Sequence, residues 1–144
     1  MSIPKKDNRI NIFDFVNTVP TKTFKRGEII VREGEPSNEK MYFILSGSLS
    51  VGMGAPDQGN FHEVRKLSTG EFFGEIALIS SHPRAMTVFI DSDRAQLGIL
   101  DKQNLTRIAN SNPMFVYALL QTYVERLIEA EQRLKDLTES SDGT

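Results

Sequence analysis

The run FFGEIALISSHPRAMTV, residues 72–88, sets one acid and one strong cation, Glu75 and Arg84, inside an apolar stretch. Charged side chains are almost never buried without a partner. Either the two satisfy each other, or a group that is not protein completes the site. The residue types say what that group would be. Gly74 precedes a segment, Glu75 to Leu78, able to form a single helical turn, whose start offers free backbone N–H groups and a favourable dipole to an anion. Without a side chain, Gly74 lets a ligand approach the backbone closely. Arg84 opens the next strand with a planar fork of donors suited to a phosphate. An ionised Glu75 only accepts hydrogen bonds, so it suits a hydroxyl such as a sugar 2′-OH. The set fits a sugar phosphate of low charge. Spacing alone leaves an internal Glu75–Arg84 ion pair equally open.

The elements that must position these residues are mostly strands. From Phe24, FKRGEIIVREGEPSNEKMYFILSGSLSVGM clusters β-branched and aromatic residues between Gly27, Gly34, Pro36 and Gly47, which reads as strand–turn–strand–turn–strand. GAPDQGN, 54–60, reads as a hairpin loop. FHEVRKL follows with near-alternation, but Phe61, Val64 and Leu67 do not share one face, which suggests a bulge. AMTVFI and AQLGIL are two further strands around the turn DSDR. Short strands at close intervals predict an antiparallel sandwich or barrel. Ahead of them, Ile10, Phe13 and Val16 predict a short helix over 10–17.

After Asp101 the period becomes helical. Asp101 is an N-cap candidate for DKQNLTRIAN, with Leu105, Ile108 and Ala109 apolar. Asn112 and Pro113 then open one long helix. Within it Val116, Leu120, Tyr123, Leu127, Ala130, Leu134 and Leu137 recur at spacings of four and three, a heptad seam. A helix of that length would overhang a compact sandwich, and its last turns keep only the narrow stripe. The expectation is a homodimer through this helix, against the alternative of a helix folded back on its own domain. TESSDGT, 138–144, has nothing to pack and is expected to be disordered. The whole chain, 1–144, reads as one domain: helix 10–17, β body 24–100, helices 101–137 and tail.

Composition excludes several classes of function. Seventeen basic and nineteen acidic side chains leave a net charge of −2, with no long-range field for nucleic acid or an anionic membrane. The chain has no cysteine, so disulfides and thiolate metal sites are out, and a cytoplasmic location is expected. The longest strong apolar run, MYFIL, is far below a membrane span. His62 and His82 share no ligand spacing, and no serine lies in a nucleophile motif. No metal, no cofactor and no catalysis are expected.

The segment FGEIALISSHPRAMTV resembles the phosphate-binding cassette of the cyclic nucleotide-binding domain family, in Gly74, Glu75, Ile76, Ala77, Leu78, Pro83, Arg84 and Ala85. Gly27, Gly34, Gly47 and Gly70 match the family's earlier turn glycines, and RLIEAEQRLKDL resembles the dimerisation helix of bacterial activators of this type. The resemblance covers roughly 24–137. It implies a mainly β fold: an eight-stranded antiparallel jelly roll (double-stranded β-helix) with a short N-terminal and a long C-terminal helix. It also implies that Arg84 binds the exocyclic phosphate, that Glu75 accepts from the ribose 2′-OH, and that backbone amides near Gly74, Ile76, Ala77 and Ala85 complete the cradle. Ala85 leans the ligand to cAMP, with cGMP as the alternative. Leu120 and Tyr123 become candidates for a lid over the base, although both also lie on the seam. Met86 departs from the family pattern, which commonly has alanine there. A thioether crowding the phosphate would leave a ligand-free interaction module as the alternative function. The helix-turn-helix that DNA-binding relatives carry after the dimer helix has no counterpart in the sequence, so DNA is not an expected partner. An effector protein of unknown identity is.

Overall fold

The computed structural model describes residues 19–80 and 82–142, with side chains as far as Glu139. The expected helix over 10–17 lies outside the described residues. Those described fall into two compact units that part between Arg107 and Ile108.

The first unit holds eight strands in two antiparallel sheets. They are β1 (Thr21–Lys25), β2 (Ile29–Val31), β3 (Lys40–Ser46), β4 (Ser48–Met53), β5 (His62–Ser68), β6 (Phe72–Phe73), β7 (Thr87–Ile90) and β8 (Arg94–Asp101). One sheet has the order β1-β8-β3-β6 and the other β2-β7-β4-β5. This is the expected two-sheet jelly roll, without closure into a barrel. Consecutive strands enter opposite sheets at every connection except β4–β5, which pair within one sheet, so the other turns carry the chain across the sandwich. The β body starts at Thr21, ahead of the expected Phe24, because Thr21–Lys25 pairs residue for residue with Gly98–Arg94.

The core between the sheets is a single cluster. Phe24, Tyr42, Ile44, Phe73, Ala95 and Leu97 contribute from one sheet, and Val31, Leu49, Val51, Leu67, Val88 and Ile90 from the other. In β3 four consecutive residues, Met41 to Ile44, are buried, so this strand is covered on both faces. Phe43 and Phe72 are fully buried with ring centroids 5.5 Å apart, and Tyr42 stacks on Phe73 at 5.0 Å. Burying one such aromatic side chain stabilises by roughly 1.5–3 kcal/mol. A short helix, α1 (Glu75–Ser80), packs on β3 and buries Leu78 there.

The irregular alternation of β5 has a local cause. The β4–β5 register runs Val51↔Arg65 and then Gly52↔Glu63, leaving Val64 as an extra residue that is half exposed. That is the bulge the sequence suggests, and it needs Gly52: a Cβ there would lie 2.0 Å from the His62 carbonyl oxygen.

Helix α2 (Lys102–Ser111) starts where Asp101 Oδ1 accepts the Asn104 N–H at 2.8 Å, the expected cap. The second unit consists, as described, of the end of α2 and helix α3 (Pro113–Asp142), with Pro113 at its first position. At 30 residues α3 is about 45 Å long. It runs through 138–142, where a disordered tail is expected. That stretch holds no glycine or proline before Gly143, and Thr138 Oγ1 donates to Leu134 O at 3.0 Å. Phe115 and Ala118 are buried, whereas Val116, Leu120, Leu127, Ala130, Leu134 and Leu137 of the seam are exposed and Tyr123 is half-buried. None of the described helices is long and apolar enough to cross a membrane.

Gly52→Ala should therefore force the bulge apart and cost about 1–3 kcal/mol of stability, read as a lower urea midpoint. A variant as stable as the wild type would show that the bulge can shift register freely.

Candidate phosphate-binding cassette

Four polar or charged residues are buried among those described: Ser50, Glu75, Arg84 and Thr87. Three of them belong to the segment that the sequence singles out. Gly74 closes the β6–α1 junction with φ 89°, a left-handed conformation that glycine adopts without penalty. Glu75 is then the first residue of α1, longer than the single turn expected and ending at Ser80. The N–H groups of Glu75, Ile76 and Ala77 fall in the first turn, where a helix has no intrahelical acceptors for them. The next amide, Leu78 N–H, donates to Gly74 O at 3.1 Å. Ala77 and Leu78 face inward, whereas Ile76 and Ile79 are exposed.

Arg84 is 6% exposed. Its backbone is clamped to the β2–β3 loop: Arg84 N–H donates to Glu35 O at 2.9 Å, and Arg84 O accepts from Gly34 N–H at 2.8 Å. Three residues on, buried Thr87 accepts the Glu33 N–H at 2.9 Å and donates to Gly54 O at 2.5 Å. The loop is thus zipped to the entry of β7, and the guanidinium is held in turn. Nη2 donates to Lys40 O at 3.0 Å and to Asn38 Oδ1, and Nη1 donates to Gly74 O at 3.4 Å. Its hydrogen-bond acceptors are therefore carbonyl and amide oxygens, and the Glu75 carboxylate is not among them. Burial pulls the Arg84 guanidinium below its ordinary value, while Tyr42, Glu35 and Glu75 pull the other way through space. Arginine stays charged near neutrality regardless.

Glu75 is 9% exposed, with Oε2 fully buried. Ala85 is exposed beside Arg84. Met86 is half-buried and packs against the core cluster of the sandwich. Gly74, Glu75, Ile76, Ala77, Arg84 and Ala85 thus all lie in one unit, on the β6–α1 junction, the first turn of α1 and the α1–β7 connection. Leu120 and Tyr123, the candidate lid residues, belong to the other unit. Sequence reasoning missed Asn38 and the Lys40 carbonyl altogether. A proline and a serine precede Asn38, a turn signal, but nothing in the spacing says which strand that turn will face. Among the described residues no cluster of His, Cys, Asp or Glu could hold a metal ion.

The described residues thus form a two-sheet jelly roll with a buried arginine on the connection after a short helix. Residues 21–112 match the cyclic nucleotide-binding domain, and the chain belongs to that family. It is 27% identical over 132 residues to the type II regulatory subunit of cAMP-dependent protein kinase from Drosophila melanogaster, which covers 92% of this chain and 33% of that protein. It is 32% identical over 125 residues to a cGMP-dependent protein kinase of Toxoplasma gondii, covering 83% of this chain and 12% of that one. The chain therefore spans a third or less of these curated relatives. The crystal structure of the Thermus thermophilus catabolite activator protein superposes with a TM-score of 0.73 at 20% identity, over 89% of this chain and 59% of that one. That likeness is one of fold.

Gly74→Ala would place a Cβ 2.8 Å from Arg84 Nη1 and 3.0 Å from Lys40 O, at a backbone angle that L side chains rarely adopt. Gly70→Ala, with φ 94° and open space around it, isolates the backbone part alone. The Gly70 variant should lose about 1 kcal/mol, and the Gly74 variant clearly more, in paired urea unfolding curves. Equal losses would mean that the guanidinium has room to yield.

Proposed function

We propose that this domain is a cyclic nucleotide sensor that binds cAMP, with cGMP as the competing ligand, and that it carries out no catalytic step. The single observation carrying this reading is Arg84: a buried guanidinium whose hydrogen bonds go to neutral oxygens, beside a helix whose first amides lack intrahelical acceptors. In this reading Arg84 binds the exocyclic phosphate and Glu75 accepts the ribose 2′-OH. The amides near Gly74, Ile76, Ala77 and Ala85 complete the cradle. Ala85, with no hydroxyl to offer a guanine base, supports cAMP over cGMP. The alternative of a ligand-free module depends on Met86 crowding the phosphate, and its packing against the sandwich core speaks against that.

The reading extends to assembly. A seam of Val116, Leu120, Tyr123, Leu127, Ala130, Leu134 and Leu137 that is largely exposed in a single chain supports a parallel homodimer through α3. Leu120 and Tyr123 serve that seam. Ligand binding would favour one arrangement of the helix over another and so alter contact with an effector protein, provided the nucleotide binds one arrangement better. A cytoplasmic setting follows from where cyclic nucleotides act as messengers.

Calorimetric titration with cAMP should give micromolar affinity, since a ligand of about 22 heavy atoms at ~0.3 kcal/mol per atom reaches near −7 kcal/mol. Arg84→Ala should cost on the order of 2–5 kcal/mol of that affinity. Absence of heat with both cAMP and cGMP on the wild type would sink the sensor reading.

The seam has its own test. Leu127→Glu should turn a dimer into a monomer in sedimentation equilibrium, and a wild type that is monomeric at high concentration refutes the dimer.

A further inference from the structure

Two observations meet in the four residues Ser37–Lys40. The first is backbone strain. Glu39 has φ 57°, alone in the left-handed region among the described non-glycine residues. Such a conformation is unfavourable for a residue with a side chain and persists only where its surroundings over-determine it. Here they do. Ser37 Oγ accepts the Glu39 N–H at 2.9 Å and donates to Ala77 O of α1 at 2.6 Å. Lys40 N–H donates to Asn38 Oδ1 at 3.2 Å, and Lys102 Nζ lies 3.4 Å from Glu39 Oε1.

The second observation is what this turn presents. Its two oxygens, Asn38 Oδ1 and Lys40 O, both accept from Arg84 Nη2. The orientation of the Asn38 amide is fixed from behind, because its Nδ2 donates to Tyr42 Oη at 3.0 Å. Tyr42 is itself buried and stacked on Phe73. One segment therefore grips both ends of the cassette, α1 through Ser37 and the guanidinium through Asn38, and is anchored in the core. Every atom that Arg84 bonds among the described residues is neutral. Glu35 and Glu75 act on it only through space. An aspartate at 38 would have the same shape as asparagine and would bond the guanidinium more strongly, but it would also cancel the charge that an anion needs.

We propose that Asn38 is a positioning residue for phosphate recognition: it orients the Arg84 guanidinium through a neutral acceptor, leaving its charge for an anionic ligand. The role in recognition rests on the cyclic nucleotide reading above. The restraint on Arg84 does not, and the two are measured separately.

The restraint is read without ligand, from the side-chain 15N resonances of Arg84. Hindered rotation about its guanidinium should be present in the wild type, retained in Asn38→Asp and lost or much faster in Asn38→Ala. Recognition is read by calorimetry with cAMP, alongside thermal unfolding of the unliganded proteins. Both variants should bind about tenfold or more weakly, Asn38→Ala through lost orientation and Asn38→Asp through lost charge, with unliganded melting of Asn38→Asp close to wild type. Unchanged Arg84 rotation in Asn38→Ala overturns the positioning role, whatever the wild type binds. Wild-type affinity in Asn38→Asp overturns the charge argument, and so does a loss of affinity matched by an equal loss of fold stability. A wild type that binds neither nucleotide but shows the Arg84 restraint refutes the sensor reading and the role in recognition, and leaves only the restraint standing.

Discussion

Burying an arginine is the constraint around which this domain is arranged. An ionised group taken from water loses several kcal/mol of solvation unless polar partners replace it. The partners found by Arg84 come from three places in the chain: Gly74 before α1, Asn38 in the β2–β3 loop and Lys40 at the start of β3. Each requirement propagates. The approach of Nη1 to residue 74 excludes a Cβ there. The approach of Nη2 to residues 38 and 40 needs a tight turn between them, and Glu39 takes the left-handed conformation. Holding the Arg84 backbone in place needs the antiparallel exchange with Gly34 and Glu35. The sandwich core supplies the rigidity, since β3 is buried on both faces and carries Lys40 and Tyr42 on one strand.

Much of this was legible in the amino-acid sequence, for reasons that differ by element. The strands announce themselves because each is short, β-branched or aromatic, and fenced by glycine or proline. The bulge at Val64 shows as a break in alternation, and Gly52 across from it is the residue that tolerates it. The cassette stands out because a glycine, an acid and an arginine do not belong in an apolar run without cause. The bracing of Arg84 was not legible. Asn38 lies 46 positions away in sequence, and a loop zipped by backbone amides and carbonyls leaves no periodic signature. The tail was misread for a simpler reason: TESSD is polar, but polarity alone does not end a helix, and the first residue that would is Gly143.

The electrostatics of the site separate structural from ligand-directed roles. A guanidinium placed only to staple loops together would be best served by a carboxylate, since charge-assisted bonds are roughly twice as strong as neutral ones. Elsewhere the chain does this freely. Arg32 and Asp57 meet with both guanidinium nitrogens on both carboxylate oxygens, at 3.0 and 2.5 Å, which raises the arginine and lowers the aspartate from their ordinary values. At Arg84 the same chemistry is withheld, although Glu75 and Glu35 are near enough to be felt. Neutral acceptors satisfy the desolvated cation while keeping its field. That distinction, between a paired arginine on the surface and a held but unneutralised one inside, is the physical content of the sensor reading.

The helical unit poses the complementary problem. Helices in water draw most of their stability from packing an apolar face, not from propensity. Along α3 the buried residues stop at Ala118, while the seam grows more exposed toward the end, from 38% at Val116 to 68% at Leu137. A partner that rewards that stripe must present apolar side chains at the same spacing over several turns, and a second copy of α3 does so by construction. The stripe is narrow in the last turns and broader near Tyr117 and Val124, so such a pairing would be tightest in the first half of the helix. A sensor that moves this helix would then do so by changing how two copies begin their contact, not by breaking it.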